Sequence, residues 1–148
     1  MKKALLFTLA VLTLYSPWLK AAKDEFTIID AAADGNMELL KELVRSGSKA
    51  NQMDLETGET ALMAAAQEGQ TAAVIFLLEK GADPNKIMYE NGETALMIAA
   101  REGHTDIVRH LLRKGAKRHI KNNEGQTALN IANSADHKDI VNLIAEDQ

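Results

Sequence analysis

Apolar and polar positions divide the chain into two parts. Residues 4–14 form one predominantly apolar block, whereas the remainder alternates short apolar runs with Gly- and Asn-bearing breaks at a fixed interval. Gly35, Gly69 and Gly103 are spaced by 34 residues, as are Gly47, Gly81 and Gly115; Gly58 to Gly92 is 34 and Gly92 to Gly125 is 33. A fixed period of this size marks a stacked array of one supersecondary unit. Residues 52–85 laid over 86–119 agree at 18 of 34 positions, including Gly58 to Met63 against Gly92 to Met97. Within a unit, Thr60, Thr94 or Thr127 precedes a short Ala- and Leu-rich run and fits a helix N-cap, so a first helix starts at Ala61, Ala95 and Ala128. The small residues Ala65, Ala66, Ala99 and Ala100 let that helix lie close to its neighbours, and Gly69 or Gly103 turns the chain. A second helix carries Val74, Leu77 and Leu78, or Ile107, Val108, Leu111 and Leu112, on one face, and Gly81 or Gly115 ends it. The run Asn85 to Gly92 ends in Asn-Gly and reads as a projecting turn. A single unit cannot bury its own apolar face, so its stability comes from neighbours. The pattern predicts an all-α solenoid of about four stacked helix-turn-helix units with projecting β-turn fingers: residues 24–51, 52–85, 86–119 and 120–148, the first and last acting as caps.

The leading block has a different purpose. Met1 to Lys3 are followed by an eleven-residue, predominantly apolar stretch and then by YSPWLKA, giving a basic start, an apolar centre and a polar exit broken by Pro17. This is the anatomy of a secretory signal peptide, residues 1–21, with cleavage expected after Ala21. The apolar block falls short of the roughly 20 residues that span a bilayer as a helix. The short basic leader looks bacterial, so the expected location is the periplasm or the exterior, with membrane contact only transient.

Composition narrows the chemistry. The chain has 148 residues, 17 Lys+Arg, 21 Asp+Glu and no Cys. Absence of cysteine removes disulfide frameworks, thiolate metal sites and cysteine nucleophiles. An acidic balance with 4% aromatic residues argues against nucleic acid, which is held by clustered cations and stacking platforms. Without residues 1–21 the formal charge moves from −4 to −7, divided into −8 over residues 22–100 and +1 over residues 101–148. The basic excess is local: Arg109, Arg113, Lys114, Lys117, Arg118 and Lys121. It reads first as a solvated helix face, with anionic lipid headgroups or an acidic protein as the alternative contact.

The repeat residues carry a resemblance. Gly58, Thr60, Leu62, Ala65, Ala66, Gly69, Leu77, Leu78, Gly81, Ala82, Asp83 and Asn85, repeated through Gly92 to Ala116, make the chain similar to ankyrin-repeat proteins. Ala61, Ala95 and Ala128 stand where that family has Pro, and Met63, Met97 and Asn130 where it has His. The first unit keeps Ala31, Ala32, Gly35 and Asn51 but lacks a recognisable turn and Thr start; in the fourth, Asn133 and Asp136 replace Ala and Gly. Asn51 to Gly58 and Asn85 to Gly92 are each one residue longer than His119 to Gly125, so the two earlier turns should bend differently from the last.

The resemblance implies a concave binding face built from turn tips and first-helix edges. The corresponding residues are Glu56, Thr57, Glu59, Gln67 and Glu68; Glu90, Asn91, Glu93, Arg101 and Glu102; and Asn123, Glu124 and Gln126. Seven glutamates against one arginine make an acidic groove, and Tyr89 supplies an apolar anchor. The expected partner is another protein with a basic patch, bound by a monomer. No residue set points to catalysis, a metal or a cofactor: His104, His110, His119 and His137 lack ligand spacing, and His104 and His137 read as helix-start hydrogen-bonders. Met63 and Met97 read as core filling. Small bacterial periplasmic ankyrin proteins suggest an accessory or protective role beside an enzyme, or immunity against a toxin. The competing readings are an effector exported to another cell and a haem or ligand carrier.

Overall fold

The computed structural model describes residues 27–146; the expected leader, residues 1–21 with its cut after Ala21, lies outside them. Among the described residues the chain forms eight helices: α1 (Ile28–Ala33), α2 (Met37–Arg45), α3 (Ala61–Gln67), α4 (Thr71–Glu79), α5 (Ala95–Glu102), α6 (Thr105–Arg113), α7 (Ala128–Ser134) and α8 (Lys138–Ala145). Each odd helix packs on the even helix that follows it. The odd helices α1, α3, α5 and α7 also stack in sequence as an inner layer, and α2, α4, α6 and α8 stack as an outer one. This is the solenoid the 34-residue period predicts.

Every inner helix is started by a threonine. The hydroxyls of Thr27, Thr60, Thr94 and Thr127 accept from the backbone N–H of Asp30, Met63, Met97 and Asn130 at 3.2–3.3 Å. The first unit therefore has its Thr start after all, at Thr27. The strict 34-residue spacing from Thr60 points to Phe26, but α1 is one residue shorter than α3, so the cap moves by one.

The third helical position separates the ends of the array from its middle. In α1 and α7 it is Asp30 and Asn130, exposed side chains that reach back to the cap N–H and close a capping box. In α3 and α5 it is Met63 and Met97, each 1% exposed and packed in the core. A terminal unit meets water on one side and can place a polar group there, whereas an internal unit meets another repeat on both sides. Ala65, Ala66, Ala99 and Ala100 are fully buried between neighbouring inner helices, where a small side chain lets backbones approach. Leu40, Leu77, Leu111 and Ile144 fill the space between the two layers.

Two ladders of polar side chains tie each unit to the next. Gln70, His104 and His137 occupy one repeat position, before α4, α6 and α8, and none of them caps its own helix. The Gln70 amide donates to the Ala33 carbonyl at 3.2 Å, His104 Nε2–H to Gln67 at 3.2 Å, and His137 Nε2–H to Arg101 at 3.0 Å. Each satisfies a carbonyl left open at the end of the preceding inner helix. Asn51 and Asn85 form the second ladder. The Asn51 amide donates to Gly81 O and accepts from Asp83 N–H, at 3.0 and 2.6 Å; Asn85 repeats this with Gly115 and Lys117, at 3.2 and 2.8 Å.

Candidate functional site

Three fingers project between the helix pairs, and their lengths give them two closures. The first two close with a five-residue turn, Gly58 N–H to Asp54 O and Gly92 N–H to Met88 O, both 3.0 Å; the shorter third closes in four residues, Gly125 N–H to Asn122 O at 2.9 Å. The one-residue difference in the sequence thus produces the different bend expected of it. Side chains hold the tips. Asp54 Oδ1 accepts from the Glu56 and Thr57 amides and the Thr57 hydroxyl, at 2.9, 2.8 and 3.0 Å, and these bonds hold its carboxyl below the ordinary carboxylate range. Asn122, at the equivalent place, accepts from Glu124 and Gln126 N–H.

The fingers are also bonded to each other. Tyr89 N–H donates to Thr57 O at 2.8 Å and Asn123 N–H donates to Asn91 O at 2.9 Å, one backbone bond per junction in the same register. Asn123 adds a side-chain bond to the Glu90 carbonyl at 3.1 Å. The Tyr89 ring lies against Gly58, closely enough that a Cβ there would meet it at 2.8 Å. A partner therefore meets a preformed row of tips, which lowers the ordering cost of binding.

Between the second and third fingers and the inner helices α5 and α7 lies a groove of about 480 Å³. Seven residues expected there line it: Glu90, Asn91, Glu93, Arg101, Asn123, Glu124 and Gln126. Asn122 and Ile131 line it as well and were not expected. Glu93 behaves differently from the sequence reading. It is 6% exposed, and its carboxylate accepts from the Arg101 guanidinium at 2.5 Å and from the Asn91 amide at 3.0 Å. Glu93 is a floor residue whose charge Arg101 neutralises, so it adds little to the field above. The bond to Glu93 in turn holds Arg101 even more firmly protonated than usual, and Arg101 Nε reaches Glu102 at 3.1 Å.

A sequence profile described as "Ankyrin repeats (3 copies)" matches residues 9–88, 28–122 and 80–148. The chain belongs to the ankyrin-repeat family. No curated protein matches it in sequence. Ankyrin repeats are generally protein–protein interaction modules, and proteins built from them are typically non-catalytic.

On the ankyrin face the remaining expected residues fall in two groups. Glu56, Gln67, Glu68 and Glu102 are exposed, whereas Thr57 is engaged in its own turn through Asp54 and the Glu59 N–H. Among the described residues, Glu56, Glu59, Glu68, Glu90 and Glu124 have no cation within ion-pair distance. Burial, and then the carboxylates of Asp54 and Asp30, push the Glu59 carboxyl above its ordinary value.

A carboxylate raised in the folded state binds its proton more tightly there than in the unfolded chain. Glu59 therefore subtracts stability as pH rises through and above the ordinary glutamate range. Glu59→Gln is expected to leave stability at pH 7 unchanged or raise it by up to about 0.5 kcal/mol, the scale of a partly solvated charge. Urea unfolding checks this, and a clear loss of stability would show that Glu59 serves the fold.

The finger tips expose Tyr89, read from the sequence as an apolar anchor, and add Leu55, which that reading did not reach. Among the described residues the exposed large hydrophobics are Leu55 at 92%, Tyr89 at 60% and Ile87 at 47%, all on the first two fingers. Leu55 and Tyr89 sit 34 residues apart, at one repeat position. The aromatic ring of Tyr89 marks that position in the second finger; Leu55, set in a polar run, is found by stepping back one repeat.

Proposed function

We propose that this ankyrin-repeat chain is a non-catalytic binding module that docks, as a single copy, one folded protein across its fingers and acidic groove. The observation that carries this reading is the coincidence of two unsatisfied surfaces. The exposed large side chains Leu55, Ile87 and Tyr89 crown the fingers, and beside them stand Glu56, Glu59, Glu68, Glu90 and Glu124, without counter-ions among the described residues. A partner that covers the tips with an apolar surface and presents Lys or Arg to the groove satisfies both. Its charge steers encounter, and burial of the tips holds the complex.

The leader motif in residues 1–21 supports export, so the partner is sought in the periplasm or outside the cell. An accessory or protective role beside an enzyme and an immunity role against a toxin both fit such a module. Met63 and Met97 belong to the core, which removes those two methionines as a motive for a haem carrier. Affinity capture from a periplasmic extract, with this chain as bait at low and moderate salt, tests the proposal. Retention of one basic protein that salt releases supports it; retention of no protein at low salt overturns it.

A further inference from the structure

A second charged surface lies in the outer layer. Arg109 and Arg113 stand one turn apart on α6, Lys114 caps its C-terminus, Lys117 follows in the next loop, and Lys80 caps α4 at the position equivalent to Lys114. All five are exposed, and among the described residues none has a carboxylate within ion-pair distance. The acidic residues nearest these cations along the chain are Glu79, Asp83, whose Oδ1 accepts from the Asn85 backbone N–H, and Asp106, three residues before Arg109 on α6; none of them forms an ion pair with the five cations among the described residues. Part of the arrangement has a structural cause, since cations near a helix C-terminus complement its dipole. That explains Arg113 and the two capping lysines; it does not explain Arg109 and Lys117. Like charges one turn apart, as in Arg109 and Arg113, oppose helix formation.

We propose that this outer edge docks on an anionic phospholipid surface. The residue types separate that occupant from the others. Interfaces with folded proteins are depleted in lysine and need apolar or aromatic anchors at their centre. The three exposed large hydrophobics lie instead on the fingers. Single-stranded nucleic acid is gripped by stacked aromatic side chains, and the Phe76 ring at this edge is half-buried beneath Lys80. A leaflet asks only for flexible cations on a convex edge, with no shaped pocket. Bound this way, the module keeps its inner layer, and with it the groove, turned from the lipid.

Flotation of the full chain with vesicles tests the edge. The probes are phosphatidylcholine vesicles with and without phosphatidylglycerol, at about 0.05 and 0.5 M salt, spanning Debye lengths above and below physiological. Phosphatidylcholine alone measures what the apolar segment of residues 4–14 contributes. Each cation near an anionic leaflet adds roughly fivefold to partition, so Arg113→Gln with Lys114→Gln and Lys117→Gln should weaken the phosphatidylglycerol-dependent part about a hundredfold at low salt. The reversal Arg109→Glu with Lys117→Glu leaves the capping positions intact and should act in the same direction; circular dichroism confirms that both variants fold. Unchanged vesicle binding by the two folded variants overturns the proposal, as does tighter binding of the wild-type chain to a DNA duplex than to the anionic vesicles.

Discussion

Gly103→Ala is expected to lower unfolding stability by about 3 kcal/mol, whereas Gly115→Ala should cost only about 1–2 kcal/mol. Both glycines are left-handed, with φ of +78° and +86°, so both substitutions carry the strain of an L-residue in that region. They differ in what surrounds them. A Cβ at Gly103 would stand 2.8 Å from the His137 imidazole, while one at Gly115 meets nothing within 4 Å. The excess cost at Gly103 is displacement of the ring and loss of its bond to the Arg101 carbonyl, which is left open again. In a solenoid that loss falls on one interface. Hydrogen exchange should therefore show α7 and α8 opening first. Urea unfolding of the two variants decides the point: equal losses would mean that the His137 bridge contributes nothing to stacking.

The second large effect is on binding. Replacing Leu55 and Tyr89 together by alanine is expected to weaken the complex with the captured partner by about 3 kcal/mol, more than a hundredfold in Kd. Burying one large apolar side chain stabilises by about 1.5–3 kcal/mol, and anchors of this kind act mainly through the dissociation rate. Leu55 is 92% exposed, so its truncation should leave unfolding unchanged. Tyr89→Ala also uncovers Gly58, with a small cost to the finger. Surface plasmon resonance gives both rate constants. A double variant that dissociates as slowly as wild type would remove the finger tips from the interface.

Features that repeat were legible in the sequence. The caps Thr60, Thr94 and Thr127, the glycine turns and the buried alanines follow from one unit laid over the next, because each is fixed by contacts the period reproduces. Departures from the period were harder to read. Thr27 escaped the 34-residue spacing because α1 is a residue shorter, although Thr27 and Asp30 carry the capping-box spacing on their own. Glu93 has the same place in its unit as Glu59, yet one is sealed and the other half-exposed. The difference arises eight residues later, where Arg101 stands in the position that Gln67 holds in the preceding unit. A cation replacing an amide at that site was the available signal, but only the fold brings the helix end over the finger base. Ile131 and Asn122 entered the groove for the same reason, through the approach of α7 and the third finger to α5.

That fold also determines which carboxylates can test the acidic groove. Reversing Glu93 would place a cation beside Arg101 in a buried site and unsettle the repeat, so it cannot report on binding. Glu59, Glu90 and Glu124 are at least partly exposed and have no cation partner among the described residues. The most direct measurement is the affinity of the captured partner for wild type and for the variant Glu59→Lys, Glu90→Lys and Glu124→Lys, followed between about 0.05 and 0.3 M salt, where screening of exposed charges is strongest. Wild-type affinity is expected to fall about tenfold over that range; the variant should bind about a hundredfold more weakly at low salt, chiefly through slower association, and lose the salt dependence. Equal affinity and equal salt dependence of the two proteins would contradict recognition of a basic partner through the acidic groove.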